Sequence, residues 1–362
     1  MRGLASLGVL IYHAILVWRM PDRSQLWEDA LFHLLHLGYL GVSLFLVLCG
    51  FVLYYPYLCR AQVENRAIRI NYWEFIQRRA WRILPTYYLV LFLLIASYYL
   101  GIRSLGVGGL NLRTIGSHLL MVHNLSSGHF YTINGSFWTI ALIFQFYLIF
   151  PLLVNLIARC GMKVVLGTSI CIAILASVLI FLRYGTKEEM HLYYSLIVRL
   201  PEFLGGMTAA TIVARNAKPG VTINSRPFLL VVVCLLPFCI LASVFLPKVT
   251  VGLNLAWSAI WSCCAILSSL IPINSRIWKN SLARALQTIG SFSFSVYLLH
   301  YPFLYATWPL ASRLDPTIRI PIFFLLGLPA ILLAIYACSF LIEKPFVSVR
   351  NRRTPQHSAV SS

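Results

Sequence analysis

The sequence predicts an all-α, polytopic membrane bundle of about ten transmembrane helices, and three observations carry that reading. Hydrophobic residues make up 59% of the 362-residue chain and charged residues 11%. With a mean hydropathy of +0.80, this is more apolar surface than a water-soluble protein of the same size can bury. The apolar stretches are long and continuous, which suits helices rather than the short alternating strands of an outer-membrane barrel. The 29 Lys and Arg residues also alternate between loops. With the amino terminus placed inside, 19 fall in inner segments and 9 in outer ones, while Arg199 lies within a span. That is the positive-inside pattern. It predicts an even number of spans with cytoplasmic termini, and it explains the net charge of +19 without any nucleic acid.

The first span, 3–18, follows Arg2 directly and is not followed by a small-residue cleavage motif, so it reads as retained. It lacks the usual charged cytoplasmic flank, and the recorded start is therefore expected to fall short of the natural one. The second span, 37–57, precedes an inner connection, 58–82, that holds Arg60, Arg66, Arg69, Arg78, Arg79 and Arg82. The third, 83–102, opens onto the outer loop 103–133. Spans at 134–158 and 163–182 are separated by Arg159 and Lys163, and the sixth, 192–214, stops at Arg215. Spans at 228–247 and 250–271 flank Lys248, the ninth, 286–311, lies between Arg284 and Arg313, and the tenth, 318–341, ends before Lys344. One membrane domain, 1–346, and a disordered polar tail, 347–362, complete the organisation.

Within that frame Arg2 and His13 stand out. Eleven residues turn a helix by three revolutions plus about 20°, so both side chains project from one face, roughly 16 Å apart along the axis. An imidazole at membrane depth is expensive to keep and marks a functional site by default. The nine cysteines show no ligand-like spacing, and most fall inside spans, where a thiol behaves as a small hydrophobe. His118, His123 and His129 share the outer loop, but their spacing fits no compact ligand set, so no metal is expected. Arg199 and Glu202 are three residues apart mid-span and can form a structural ion pair.

Several segments line up with this pair: "GYLGVSLFLVLCGFVL", "FIQRRAWRILPTYYLVL", "NGSFWTIALIFQFYLIFPLL", "RLPEFLGGM", "SFSFSVYLLHYPFL" and "LIEKPF". In this order, from Arg2 to Phe346, the chain resembles the membrane-bound acyltransferase-3 family, which O-acylates surface polysaccharides and other hydroxylated acceptors. The resemblance implies a multi-pass protein of the bacterial inner membrane. It places the family's Arg-x10-His signature on Arg2 and His13, with His13 as the catalytic base that takes the proton of the attacking hydroxyl. Arg2 would help position an acyl-coenzyme A co-substrate, most simply acetyl-coenzyme A. Arg78, Arg79 and Arg82 match "RRxxRIxP". Arg78 and Arg82, four apart on one helix face, suit a diphosphate. The plain alternative for these arginines is anchoring to anionic lipid, and for Arg79 the two readings stand level.

Trp138, Gln145, Tyr147 and His300 are acceptor-binding candidates on thinner grounds. For Trp138 an aromatic-belt role at the membrane interface competes. Where the family carries a glutamate this chain has Ile143, which puts full activity in doubt. A carboxylate there could orient an imidazole or pair with a buried arginine, and Ile143→Glu is expected to raise activity. Ser43 and Cys49 read as helix-packing residues before acyl-enzyme nucleophiles. Glu343 and Pro345 read as topological.

The function expected is transfer of an acyl group to a hydroxyl of a cell-surface glycan or glycolipid. Many relatives carry an added extracytoplasmic hydrolase-like domain. This chain stops about twenty residues after its last span, so it either completes transfer itself or hands the acyl group to a separate extracytoplasmic partner. Two rivals remain: an acyltransferase acting on an antibiotic or other small molecule, and a lipid or sugar carrier. A carrier should show repeated halves with interrupted helices, and neither is evident.

Overall fold

The computed structural model describes residues 1–18, 34–185, 190–216, 223–245, 250–272, 274–343 and 345. All regular structure among them is helical. α1 (Arg2–Val17) and a 3-10 turn at Leu37–Leu40 come first, the turn running straight into α2 (Gly41–Val63). Then follow α3 (Tyr72–Tyr99), the short α4 (Leu112–Leu119), α5 (Phe137–Cys160), α6 (Met162–Tyr184), α7 (Leu196–Asn216), α8 (Arg226–Phe245) and α9 (Thr250–Ser269). The chain closes with α10 (Ser281–Ser291), α11 (Ser293–Ala311), α12 (Pro316–Ile322) and α13 (Leu328–Ile342), the last two joined by a π-helical turn at Phe323–Gly327.

Among the described residues, seven helices are long and apolar enough to cross a membrane: Leu34–Val63, Tyr72–Tyr99, Phe137–Cys160, Met162–Tyr184, His191–Arg215, Arg226–Ser243 and Ile318–Ile342. α1 and the described part of α9 are apolar but shorter. The expected span at 286–311 is divided at Phe292 between α10 and α11. Arg19, Arg23, Lys187, Lys218, Lys248, Lys344, Arg350, Arg352, Arg353 and the 347–362 tail lie outside the described residues. α3 begins about a turn and a half before Arg78, well ahead of the expected start at 83. Arginine is a good helix former, so a charge cluster does not stop a helix. The start is set by Asn71, whose side chain accepts the Glu74 N–H at 3.2 Å, and Glu74 adds a carboxylate to the first turn.

Lipid is as apolar as leucine, so helices in a membrane associate through close packing rather than exclusion of water. The α2–α7 pair shows how. A Cβ built at Gly50 would collide with the Phe203 carbonyl, and one at Gly206 with the Val47 carbonyl. The two glycines therefore let the backbones touch, and the Phe146 and Phe203 rings stack at 4.7 Å beside them. α6, α8 and the α12–α13 segment leave most of their apolar surface uncovered, as lipid-facing helices do. α1 packs against α2, α10 and α11. This central position carries Arg2 and His13 past the two cavities that define the site.

Candidate active site

The larger cavity, about 720 Å³, is lined by Arg2, Arg79 and Arg82 together with Cys49, Ile143, Tyr147 and Glu343. The smaller, about 250 Å³, is lined by His13 with Tyr12, Tyr39, Tyr131, Trp138, Tyr194, Arg199 and Tyr301. Arg2 and His13 thus open, as their spacing required, onto spaces displaced from each other along α1.

In the arginine-lined cavity, Arg79 lies 5.4 Å from the Phe75 ring centroid and 5.9 Å from that of Tyr147. Two aromatic rings hold the guanidinium by cation–π attraction. Arg78 does not join it. Its Nη1 donates to Glu74 Oε1 at 2.7 Å on the exposed face of α3, so the cavity receives Arg79 and Arg82 rather than Arg78 and Arg82. Ile143 also faces this cavity and not His13, so a carboxylate at that position would meet guanidinium groups instead of orienting the imidazole. Glu343, read as topological, lines the same space and accepts the Ser295 hydroxyl at 2.5 Å.

In the histidine-lined cavity, His13 Nδ1 lies 2.8 Å from His300 Nε2, and His300 Nδ1 lies 2.9 Å from the Val296 carbonyl. A carbonyl only accepts, so His300 Nδ1 carries the proton and, in the neutral ring, Nε2 is the acceptor. His13 must then donate from Nδ1. The lone pair of His13 is left on Nε2, the state a general base requires. His300, an acceptor-binding candidate from the sequence, here hydrogen-bonds His13 and fixes its tautomer. Tyr301 packs edge-on to His13 at 4.8 Å.

The segment at the start of α5 fixes α11 around this pair. Pro302 has no N–H, which frees the Leu298 carbonyl four residues back. Asn134 Nδ2 donates to that carbonyl at 3.0 Å. Ser136 Oγ lies 2.7 Å from Asn134 Oδ1 and 3.1 Å from the Tyr297 carbonyl. At Gly135 a Cβ would fall 2.8 Å from the Tyr301 ring, so a larger residue there would push the ring aside.

Trp138 is buried, stacked on Phe130 at 5.2 Å and tilted against Tyr194 at 4.6 Å, which removes it from the lipid interface. Gln145 lines neither cavity. It exchanges amide hydrogen bonds with Asn124, donating at 2.7 Å and accepting at 3.3 Å, and donates to the Met121 carbonyl at 3.2 Å. Tyr147 belongs to the arginine-lined cavity, away from His13. Arg199 and Glu202 pair at 2.9 Å, almost wholly buried, and Arg199 also lies 5.3 Å from the Tyr194 ring. Arg199 faces the same cavity as His13. The aromatic lining from Tyr12, Tyr39, Tyr131, Tyr194 and Tyr301 escaped the sequence reading, because tyrosines scattered over distant spans share no spacing signal.

His118 and His123 stack face to face at 3.9 Å outside the spans, and His118 reaches the Thr114 and Thr132 carbonyls at 2.9 and 3.1 Å. Burial pushes His118 down to about 4 and His123 down to about 3. Among the described residues no three His, Cys, Asp or Glu side chains converge as a metal site.

The chain belongs to the acyltransferase family whose domain matches residues 1–343, and it is a multi-pass protein of the bacterial cell-membrane type. It is 26% identical over 337 residues to the peptidoglycan O-acetyltransferase OatA of Listeria monocytogenes, covering 88% of this chain and 50% of that protein. It is also 26% identical over 374 residues to YrhL of Bacillus subtilis strain 168, which bears the same activity in its name as a provisional assignment, covering 95% of this chain and 54% of that protein. The chain spans about half the length of these curated relatives. No solved structure matches it.

Proposed function

We propose that this chain is an integral-membrane O-acyltransferase that moves an acetyl group from acetyl-coenzyme A to a hydroxyl of a cell-surface glycan. The donor enters the arginine-lined cavity from the cytoplasm, and the acceptor enters the histidine-lined one. The observation that carries the reading is the division of labour between the cavities: three guanidiniums in one, a base of defined tautomer in the other. Arg2, Arg79 and Arg82 suit the phosphates of a coenzyme A. The tyrosine and tryptophan faces around His13 suit a sugar ring, with an apolar face and hydroxyls at its rim. The likeness to two proteins named for peptidoglycan O-acetylation supports a glycan acceptor and an acetyl group.

In this mechanism His13 Nε2 takes the proton of the acceptor hydroxyl as its oxygen attacks the thioester carbonyl. The C–O bond forms, the C–S bond breaks, and the coenzyme A thiolate leaves and is protonated. The imidazolium formed on His13 keeps its Nδ1–H directed at His300 Nε2, so the pair disperses the charge without moving either ring. Acceptor-dependent thiol release from acetyl-coenzyme A by the purified protein tests this. The expected result is release that His13→Ala lowers by about 10²–10⁴-fold. Sugar or lipid transport that survives the substitution, with no thiol release from the wild type, would instead favour a carrier.

A further inference from the structure

The two cavities share one lining residue, Tyr297. Two helices line both cavities within a few residues. On α2, Ser43 lines the histidine side and Phe45 the arginine side; on α5, Trp138 and Ile140 divide in the same way. Residues two apart on a helix point to opposite faces, so these helices form a septum between the cavities, and Tyr297 lines both. Tyr297 is buried within it, its ring 5.6 Å edge-on from Phe45 and 5.7 Å from His300. Hydrogen bonds from Asn134 and Ser136 to the Leu298 and Tyr297 carbonyls hold its backbone. The ring therefore stands between the space lined by the guanidiniums and the space lined by His13.

We propose that Tyr297 sets the length of the acyl group this protein can transfer. The inference rests on the acyltransferase reading above. A thioester carried on the arginine side meets the acceptor oxygen only at the septum, and the carbons beyond its carbonyl must then fit beside the Tyr297 ring. An acetyl methyl is the smallest such group, and each added methylene presses on a ring whose backbone is braced. Tyr297 acts here by shape and takes no part in bond making.

The experiment compares acetyl-, propionyl- and butyryl-coenzyme A as donors for wild type, Tyr297→Ala and Tyr297→Phe, scored as acylated acceptor by mass spectrometry. A tight apolar pocket discriminates one methylene by about 10–200-fold. The butyryl-to-acetyl ratio is expected to rise at least about tenfold in Tyr297→Ala and to stay at the wild-type value in Tyr297→Phe. Should the alanine variant fail to purify folded, Tyr297→Leu is read in the same way. A variant that remains active with an unchanged ratio overturns the inference alone. Wild-type protein that transfers no acyl group from any of the three donors overturns the acyltransferase reading and this inference with it.

Discussion

His13 and His300 are separated by 287 positions, yet one hydrogen bond between them fixes which nitrogen of His13 is basic. Removing His300 leaves His13 in place but frees its tautomer, so His300→Ala should lower kcat by about 10–100-fold with little change in KM. Partial recovery in His300→Gln, which keeps an acceptor for His13 Nδ1, separates positioning from loss of fold. The arginines make a matched comparison. Arg79→Ala should raise the donor KM by about tenfold or more, because it removes a charge-assisted contact. Arg78→Ala, which breaks only an exposed pair with Glu74, should change it less than twofold. Local spacing made Arg78 and Arg82 the natural couple. Glu74, four residues before Arg78, makes an equally regular i,i+4 pair, and it is this one that captures Arg78 and turns it outward.

The start of α5 and the middle of α11 behave as one brace. In Asn134→Ala the Leu298 carbonyl freed by Pro302 loses its donor. A buried unpaired carbonyl costs about 1–3 kcal/mol, so the expected outcome is a lower thermal midpoint in detergent together with reduced turnover. The loop carrying α4 makes a different prediction. An unfolded histidine titrates near ~6.5, while burial holds His118 near about 4 and His123 near about 3. Between those values the opened loop binds protons that the closed loop excludes. The closed form is fully stable above ~6.5 and weakens as pH falls towards 4. Hydrogen exchange over residues 111–133 should therefore speed up between pH 7.5 and 4.5 beyond the intrinsic change, and His123→Phe should reduce that acceleration. Long apolar runs made most of these helices legible in advance. The break at Phe292 and the early start of α3 were not, since the first interrupts no apolar run and the second hides beneath charges that helices tolerate.

In the proposed mechanism the bundle divides an acyl transfer between two cavities that meet at the Tyr297 ring. α1 made the long axis of this arrangement readable, because Arg2 and His13 lie on one helix and obey its period. The remaining lining comes from five or more helices, and only their packing, through contacts such as Gly50 against the Phe203 backbone and Gly206 against the Val47 backbone, brings those side chains together. Ile143 illustrates the limit: its departure from the family pattern was visible in the sequence, but the cavity it faces was not. In the proposed mechanism donor and acceptor approach from opposite faces and react across the septum, with His13 as base. Proteoliposomes of uniform orientation, with acetyl-coenzyme A supplied only on the arginine side and a glycan acceptor only on the other, test it directly. Acetylated acceptor should accumulate and should be lost in His13→Ala. Acetylation only when both substrates share one compartment, or acetylation undiminished in His13→Ala, would overturn this mechanism.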